Sequence, residues 1–198
     1  EASRGFTIAG TSNVLISGLT ITRGLASTGG GIMMEDAPSV VIDSVDVVSC
    51  KSQTMGGGMH LQTSQPIVRH SRFISNSGGN DETGNNVRGG GAYLQEESHA
   101  TLLNVSFIGN SLVGSGKGAG LNVDENSNVT ANGIVLADNT AFFAAGLSPS
   151  FFGAAFFFAA GFFLSAFYDL HVNSYHHHNH GHARALRHHL TKPPALLL

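Results

Sequence analysis

The chain has 198 residues, of which 41% are hydrophobic and 12% are charged, and its formal net charge is -3. This length fits one domain with an appendage, and the absence of a basic stripe before residue 140 argues against a nucleic-acid partner. The single cysteine, Cys50, excludes an internal disulfide framework, and the chain begins at Glu1 without a basic and apolar leader, so we interpret it as part of a longer or processed protein.

Glycine clusters recur along the first 147 residues and define a repeat. In chain order they are GGGIMMED from Gly29, GGGMHLQT from Gly56, GGGAYLQE from Gly89 and GAGLNVDE from Gly118. Their spacings are 27, 33 and 29 residues, and GFTIAG from Gly5 fits one unit earlier. A period in this range is typical of a solenoid, in which each unit buries its apolar face only against its neighbours.

Short β-rich runs lie between the glycine clusters. Residues 13–22, 39–48 and 100–108 alternate apolar and polar positions and are rich in Val, Ile and Thr. Units of two or three such strands, repeated in one direction, stack in parallel about 4.8 Å apart, and crossover handedness makes the coil right-handed. The sequence therefore predicts an all-β fold, a right-handed parallel β-helix of about five coils over residues 1–147, followed by a hydrophobic C-terminal helical segment.

Alignment of the units predicts two columns of side chains. The first column holds Ile21, Val47, Phe73, Phe107 and Leu136, and the second, three residues later, holds Gly24, Cys50, Asn76, Asn110 and Asn139. We interpret the first as an interior stack and the second as a turn ladder. In that ladder Asn adopts the left-handed conformation and bonds backbone groups of adjacent coils, and Cys50 is a turn substitution. The predicted structural ladder residues are Phe73, Asn76, Phe107, Asn110 and Asn139.

The Phe-x-x-Asn sequences at residues 73–76 and 107–110 alternate with the glycine clusters. This alternation resembles the paired repeat motifs of chlamydial polymorphic outer membrane proteins, over residues 5–147. The resemblance implies a surface-exposed β-helical passenger that acts as an adhesin, within the wider pectate-lyase-like β-helix architecture.

A turn column of acidic residues follows the glycine strands. Its carboxylates belong to Glu35, Asp36, Glu96, Asp124 and Glu125, and Gln62 and Thr63 interrupt the stack. Carboxylates on adjacent coils could supply the oxygen ligands that Ca²⁺ takes, and a solvated turn is the alternative interpretation. We predict no other cofactor and no catalytic residue, because the remaining acidic and histidine residues do not align as a catalytic pair or triad.

Residues 77–88, SGGNDETGNNVR, lengthen one coil by about six residues. The candidate ligand-binding residues in this insertion are Asn80, Asp81, Glu82, Asn85 and Asn86. Insertions in solenoids map to loops on one face, where binding often occurs. The alternative is a spacer without function.

The tail departs from the repeat. Residues 148–170 are hydrophobic, and residues 151–168, FFGAAFFFAAGFFLSAFY, are long enough to cross a bilayer as a helix. Arg184, Arg187 and Lys192 follow, which would place the tail in the cytoplasm and the β-helix outside. Two alternatives stay open: a coding frame that runs past an intron or frameshift into noncoding sequence, and a buried helix that caps the solenoid. Residues 171–198 form a His-rich low-complexity tail that could bind metal adventitiously.

The leading hypothesis is a surface-exposed β-helix repeat module that acts as an adhesin or displays ligands, within a larger protein. It would be extracellular or at the cell surface, anchored by one span if residues 151–168 are a genuine membrane helix. Its expected partners are a host or neighbouring cell surface or a polysaccharide. The alternatives are a fragment of a carbohydrate-active β-helix enzyme, a polysaccharide lyase or glycoside hydrolase, and a bare structural spacer.

Overall fold

A computed structural model of the protein describes residues 3–79, 87–113, 116–124, 126–142 and 170–172. These residues form 21 β-strands and no helix. Every strand pairing between them is parallel, and each strand pairs with its equivalent in the next coil. The prediction of an all-β parallel solenoid of about five coils is therefore confirmed, whereas the predicted helical segment, apart from Leu170, lies outside the described residues.

Each of the five coils contributes four strands. The first coil contains β1 (Phe6–Ala9), β2 (Ser12–Ser17), β3 (Thr20–Thr22) and β4 (Leu25–Thr28). The second contains β5 (Ile32–Glu35), β6 (Ser39–Asp43), β7 (Asp46–Val48) and β8 (Lys51–Met55). The third contains β9 (Met59–Gln62), β10 (Pro66–Arg69), β11 (Arg72–Ile74) and β12 (Ser77–Gly78). The fourth contains β13 (Ala92–Gln95), β14 (His99–Leu103), β15 (Ser106–Ile108) and β16 (Ser111–Val113). The fifth contains β17 (Leu121–Val123), β18 (Asn128–Asn132), β19 (Val135–Ala137) and β20 (Thr140–Phe142), and β21 (Leu170–Val172) follows.

The equivalent strands of successive coils make four sheets. Sheet A has the order β1-β5-β9-β13-β17-β21, sheet B β2-β6-β10-β14-β18, sheet C β3-β7-β11-β15-β19 and sheet D β4-β8-β12-β16-β20. The fourth sheet was not expected, since the repeat predicts only two or three strands per unit. Its strands have two to five residues, and the strand Ser77–Gly78 has no hydrophobic alternation that could reveal it.

The main core lies between sheets A, B and C. The register places Val47, Phe73, Phe107 and Leu136 in one interior column, in the order that the repeat alignment predicts. The Phe73 and Phe107 rings stack with 5.0 Å between centroids and 12° between planes. Both side chains are fully buried, so their stack contributes apolar contact between adjacent coils.

A second, smaller core lies in a side lobe between sheet D and the glycine segment that returns to sheet A. Its members are Val87, Leu112 and Ala119, with Ala141 packed against them. Gly57 shows why the return needs glycine: a Cβ there would overlap the carbonyl oxygens of Ser77 and Gly90. The side lobe therefore depends on close backbone approach rather than on large side chains.

The buried asparagines form a ladder along the solenoid axis. The backbone N–H of Cys50 donates to Oδ1 of Asn76, that of Asn76 to Oδ1 of Asn110, and that of Asn110 to Oδ1 of Asn139, at 3.0, 3.0 and 2.9 Å. The amide nitrogens of the three asparagines each donate at 2.9 Å to a carbonyl of the preceding coil. The backbone N–H groups of Cys50, Asn76 and Asn110, which lie between the strands of sheets C and D, are thereby satisfied.

The prediction that these asparagines adopt the left-handed backbone conformation is wrong, because that conformation occurs one residue earlier. The residues with positive φ are those just before them: Ser75 at 53°, Gly109 at 61° and Asp138 at 55°. The asparagine itself must point inward to reach the neighbouring coils, so the preceding residue, which is exposed or half-buried, makes the turn.

A serine ladder occupies the corner between sheets A and B. The backbone N–H of Ala37 donates to Oγ of Ser64, that of Ser64 to Ser98, and that of Ser98 to Ser127, each at 3.2 Å. This ladder was not predicted, although its serines recur at the repeat spacing.

Strand β21 extends sheet A beyond β17, with Asn122 paired to His171. It crosses the predicted boundary between the hydrophobic segment 148–170 and the tail 171–198. Among the described residues no helix is long and apolar enough to cross a membrane, and residues 151–168 lie outside that part of the chain.

Candidate functional site

The five candidate ligand-binding residues of the insertion, Asn80, Asp81, Glu82, Asn85 and Asn86, all lie outside the described residues. The residues that flank them are placed. Gly78 ends strand β12 of sheet D, and Val87 is buried in the core of the side lobe. The insertion therefore leaves and rejoins the solenoid at the side lobe, between sheets D and A.

Of the acidic turn column, Glu35 lies in a paired strand. Glu35 pairs with Gln62, and Gln62 pairs with Gln95. Gln62 donates to Oε2 of Glu96 at 2.6 Å, so this carboxylate serves a contact between coils. Asp36 lies in the turn with a φ of 49°.

No group of three or more His, Cys, Asp or Glu side chains among the described residues could hold a metal ion, and Glu125 lies outside them. The calcium hypothesis for Glu35, Asp36, Glu96, Asp124 and Glu125 stays a prediction.

Asp124 contacts two side chains that the repeat alignment does not predict as its neighbours. It forms an ion pair with Arg88 and accepts a hydrogen bond of 2.8 Å from the Tyr93 hydroxyl. The Arg88 guanidinium carbon also lies 5.9 Å from the centroid of the Tyr93 ring. Burial raises the pKa of the Tyr93 phenol, and the hydrogen bond to Asp124 raises it further, so Tyr93 is a neutral donor at physiological pH.

Tyr93 belongs to a row of side chains on the outer surface of sheet A. His60 pairs with Tyr93 and Tyr93 with Asn122 in the strand register, and we call these three residues the polar column. Their neighbours in each strand, such as Leu61 and Leu94, point into the main core, so the polar column faces away from it. The His60 and Tyr93 rings stack at 5.2 Å with 25° between planes.

The polar column is buried although it faces outward. The exposed fractions are 3% for His60, 2% for Tyr93 and 0% for Asn122. Burial, and to a smaller extent the charge of Arg4, lowers the pKa of His60 to about 4, so the imidazole is neutral at physiological pH. Within the described part of the chain, both ring nitrogens of His60 and both amide atoms of Asn122 lack a hydrogen-bond partner.

The repeat spacing contains a signal for the polar column, although the residue type at that position changes from unit to unit. His60, Tyr93 and Asn122 are each the fifth residue counted from the first glycine of their cluster, where the unit before has Met33. Because the residue types differ from unit to unit, the repeat alignment does not by itself single out this position.

The outward-facing side chains of sheets B and C form a second surface, which we call the BC face. Leu15 and Ile67 lie in one row of it and are 64% and 40% exposed. Beside this row, Asp43 pairs with Arg69 of the next coil at 2.9 Å. Hydrogen bonds from His70 first, and then from Ser44 and Arg69, lower the pKa of Asp43.

A parallel ion pair lies on sheet C. Nε of Arg72 donates to Oδ1 of Asp46 at 2.8 Å, and this hydrogen bond lowers the pKa of Asp46. Both ion pairs of the BC face thus join the second coil to the third.

The chain belongs to the family described as right handed beta helix region, whose model matches residues 4–183. The family gives the solenoid the hand that crossover geometry predicts. The match continues past residue 147, the predicted end of the repeat domain. No curated protein and no solved structure matches the chain, and the resemblance to chlamydial polymorphic outer membrane proteins stays a prediction.

Proposed function

We propose that the chain is a surface-exposed β-helix repeat module that acts as an adhesin or displays ligands, as part of a larger protein at the cell surface. The observation that carries this proposal is the BC face, where five coils hold outward side chains in fixed rows. Rows in a parallel sheet repeat about every 4.8 Å. Such a regular, rigid face suits a flat or extended partner, such as another cell surface or its polysaccharide.

The composition of the BC face supports a contact role. Leu15 and Ile67 are exposed apolar side chains that gain from being covered. Arg69 and Arg72 keep 44% and 57% of their side chains exposed, and arginine is enriched in interfaces. Since each arginine is paired with an aspartate, the face carries little net charge and favours partners that need no strong opposite charge.

The proposal is tested by binding of the full chain to cells and to a glycan array. The double substitution Leu15→Glu/Ile67→Glu places charge on the BC face and should weaken binding at least tenfold. Leu25→Glu is the matched control, because Leu25 is 41% exposed on sheet D, and this variant should bind like the wild type. Binding to neither cells nor glycans, or binding that the double substitution leaves unchanged, would contradict the proposal. The first result would favour a bare structural spacer.

A fragment of a carbohydrate-active enzyme is the second candidate. The observation in its favour is that Arg88 and Asp124 pair with each other beside the Tyr93 side chain. Ionisable side chains in contact with one another are a feature of catalytic sites. Calcium-dependent depolymerisation of polygalacturonate by the full chain, lost in Asp124→Asn, would replace the adhesin proposal with this one.

A further inference from the structure

We infer that Asn128, on the outer face of strand β18, is an acceptor site for an N-linked oligosaccharide. This inference rests on the proposed cell-surface location, because only an exported chain meets the enzyme that transfers such a glycan. It starts from the two Asn-x-Ser/Thr sequences of the chain, at residues 104–106 and 128–130. Their surroundings in the fold differ, and the difference selects Asn128.

Strand β18 presents the acceptor amide and the required hydroxyl together. The acceptor sequence needs an asparagine and a hydroxyl side chain two residues further on. Asn128 and Thr130 have this spacing within one strand, so they lie on the same face, about 6.6 Å apart along the strand. That face is the outer one, since Val129 between them packs against the main core.

Both functional side chains of this sequence are accessible. Asn128 and Thr130 are exposed, and Val129 is only half-buried. The backbone N–H of Asn128 donates to the carbonyl of Ser98 at 2.9 Å. The strand is therefore held in place through its backbone, and the Asn128 side chain can carry a sugar without loss of that pairing.

The position of β18 leaves space for a large group. It is the last strand of sheet B, and within the described residues it pairs only with β14. Asn128 therefore has a cross-strand neighbour, His99, on one side, and no described coil lies on the other. A branched, hydrated glycan at Asn128 displaces none of the described coils.

Asn104 provides an internal comparison. It is also exposed, but it lies at the corner between sheets B and C with a φ of 54°. A Cβ on Gly133 of the next coil would overlap Oδ1 of Asn104, so the Asn104 side chain fills the space that this glycine leaves. A sugar on the Asn104 amide would disturb a contact between coils, whereas a sugar on Asn128 would not.

The modification is a substitution at the first sugar of a lipid-linked oligosaccharide. The amide nitrogen of Asn128 forms a bond to C1 of that sugar, and the bond from C1 to the lipid diphosphate breaks. The diphosphate leaves with the electron pair of the broken bond, and the amide loses one proton. The secretory pathway supplies the lipid-linked donor and the transferase, so this chain needs to provide only an accessible acceptor.

The test is expression of the full chain in cultured mammalian cells behind a cleavable signal peptide. Secreted and cell-retained chains are compared by gel electrophoresis and peptide mass spectrometry, before and after treatment with peptide N-glycosidase F. We expect one glycan per chain, and enzymatic conversion of Asn128 to aspartate. Asn128→Gln and Thr130→Ala should abolish the gel shift, whereas Thr130→Ser, which keeps the hydroxyl, and Asn104→Gln should retain it.

The absence of a shift in both fractions, a shift lost in Asn104→Gln instead, or glycans on both asparagines would overturn the inference. Should Asn128→Gln fail to fold, Thr130→Ala and Thr130→Ser provide the same comparison without changing the asparagine. The effect of Leu15→Glu/Ile67→Glu on cell binding is measured on chains from a bacterial host that lacks the transferase. That result is independent of the glycan, so the proposed function and this site can fail separately.

Discussion

Oδ1 of Asn110 accepts two hydrogen bonds from Asn76 of the preceding coil, one from its backbone N–H and one from its side-chain amide, both at 3.0 Å. A single side chain thus fixes the axial register of two coils. The same arrangement recurs between Asn110 and Asn139. The ladder therefore specifies register at a corner that carries no strand pairing.

Asn110→Ala should be one of the most destabilising substitutions in the chain. It leaves the backbone N–H of Asn76 and the carbonyl of Phe73 without these partners in a buried corner. We expect a loss of about 3 kcal/mol in the free energy of unfolding, measured by urea denaturation. Asn128→Ala, at an exposed asparagine, is the control and should change stability by less than about 0.5 kcal/mol. Equal effects of the two substitutions would show that the ladder contributes nothing.

Cys50 is the ladder member without an amide. Its Sγ lies 3.8 Å from the carbonyl of Ile21, in the place where Asn76 donates to Val47. Cys50→Asn should therefore be tolerated and raise the melting temperature by restoring that donor, whereas Cys50→Ala should lower it. Burial raises the pKa of the Cys50 thiol, so the wild-type thiol should react with Ellman's reagent only after denaturation. Fast reaction of the native protein would place Cys50 outside the ladder.

The sequence predicts most of the strand register, but it predicts neither sheet D nor the polar column. The columns through Phe73 and Phe107 were predictable, because the same residue types recur at the repeat spacing. Sheet D was not, since Ser77–Gly78 is held by backbone pairing and close glycine contacts that leave no hydrophobic pattern. The polar column was missed because a histidine, a tyrosine and an asparagine occupy one position, and its significance depends on burial that spacing does not report.

The free energy of unfolding should fall as the pH is lowered from 6.5 towards 4, because of the lowered pKa of His60. Its pKa is about 4 in the folded state and 6.5 as the reference value, so the unfolded chain binds more protons between these values. The stabilisation is complete above pH 6.5 and is lost as the pH falls towards 4, by about 3 kcal/mol in all. His60→Leu should flatten the stability profile in this window. The lowered pKa values of Asp43 and Asp46 act below their reference value of 3.8, so they add a separate loss in stronger acid. An unchanged slope in His60→Leu would mean that another group titrates there.

Arg4 caps the first coil at the side lobe. Its guanidinium donates to the carbonyls of Gly29 and Thr28 at 2.9 and 2.7 Å, where the next coils use backbone N–H groups instead. Arg4→Ala should lower the free energy of unfolding by about 1 to 2 kcal/mol and increase hydrogen exchange at the first coil. Lys51→Ala, at an exposed side chain, should leave both quantities unchanged. If the two variants behaved alike, the cap would have no role in stability.

The central claim is that equivalent residues of successive coils lie above one another, and pulsed electron paramagnetic resonance tests it most directly. Leu15, Val41, Ile67, Thr101 and Thr130 follow one another in the register of sheet B. Spin labels at Leu15→Cys and Thr130→Cys, in a Cys50→Ala background, are separated by four strand spacings. We expect a single narrow distance distribution centred at about 20 Å. A broad distribution, or one centred beyond about 30 Å, would contradict the stacked solenoid and every proposal that depends on it.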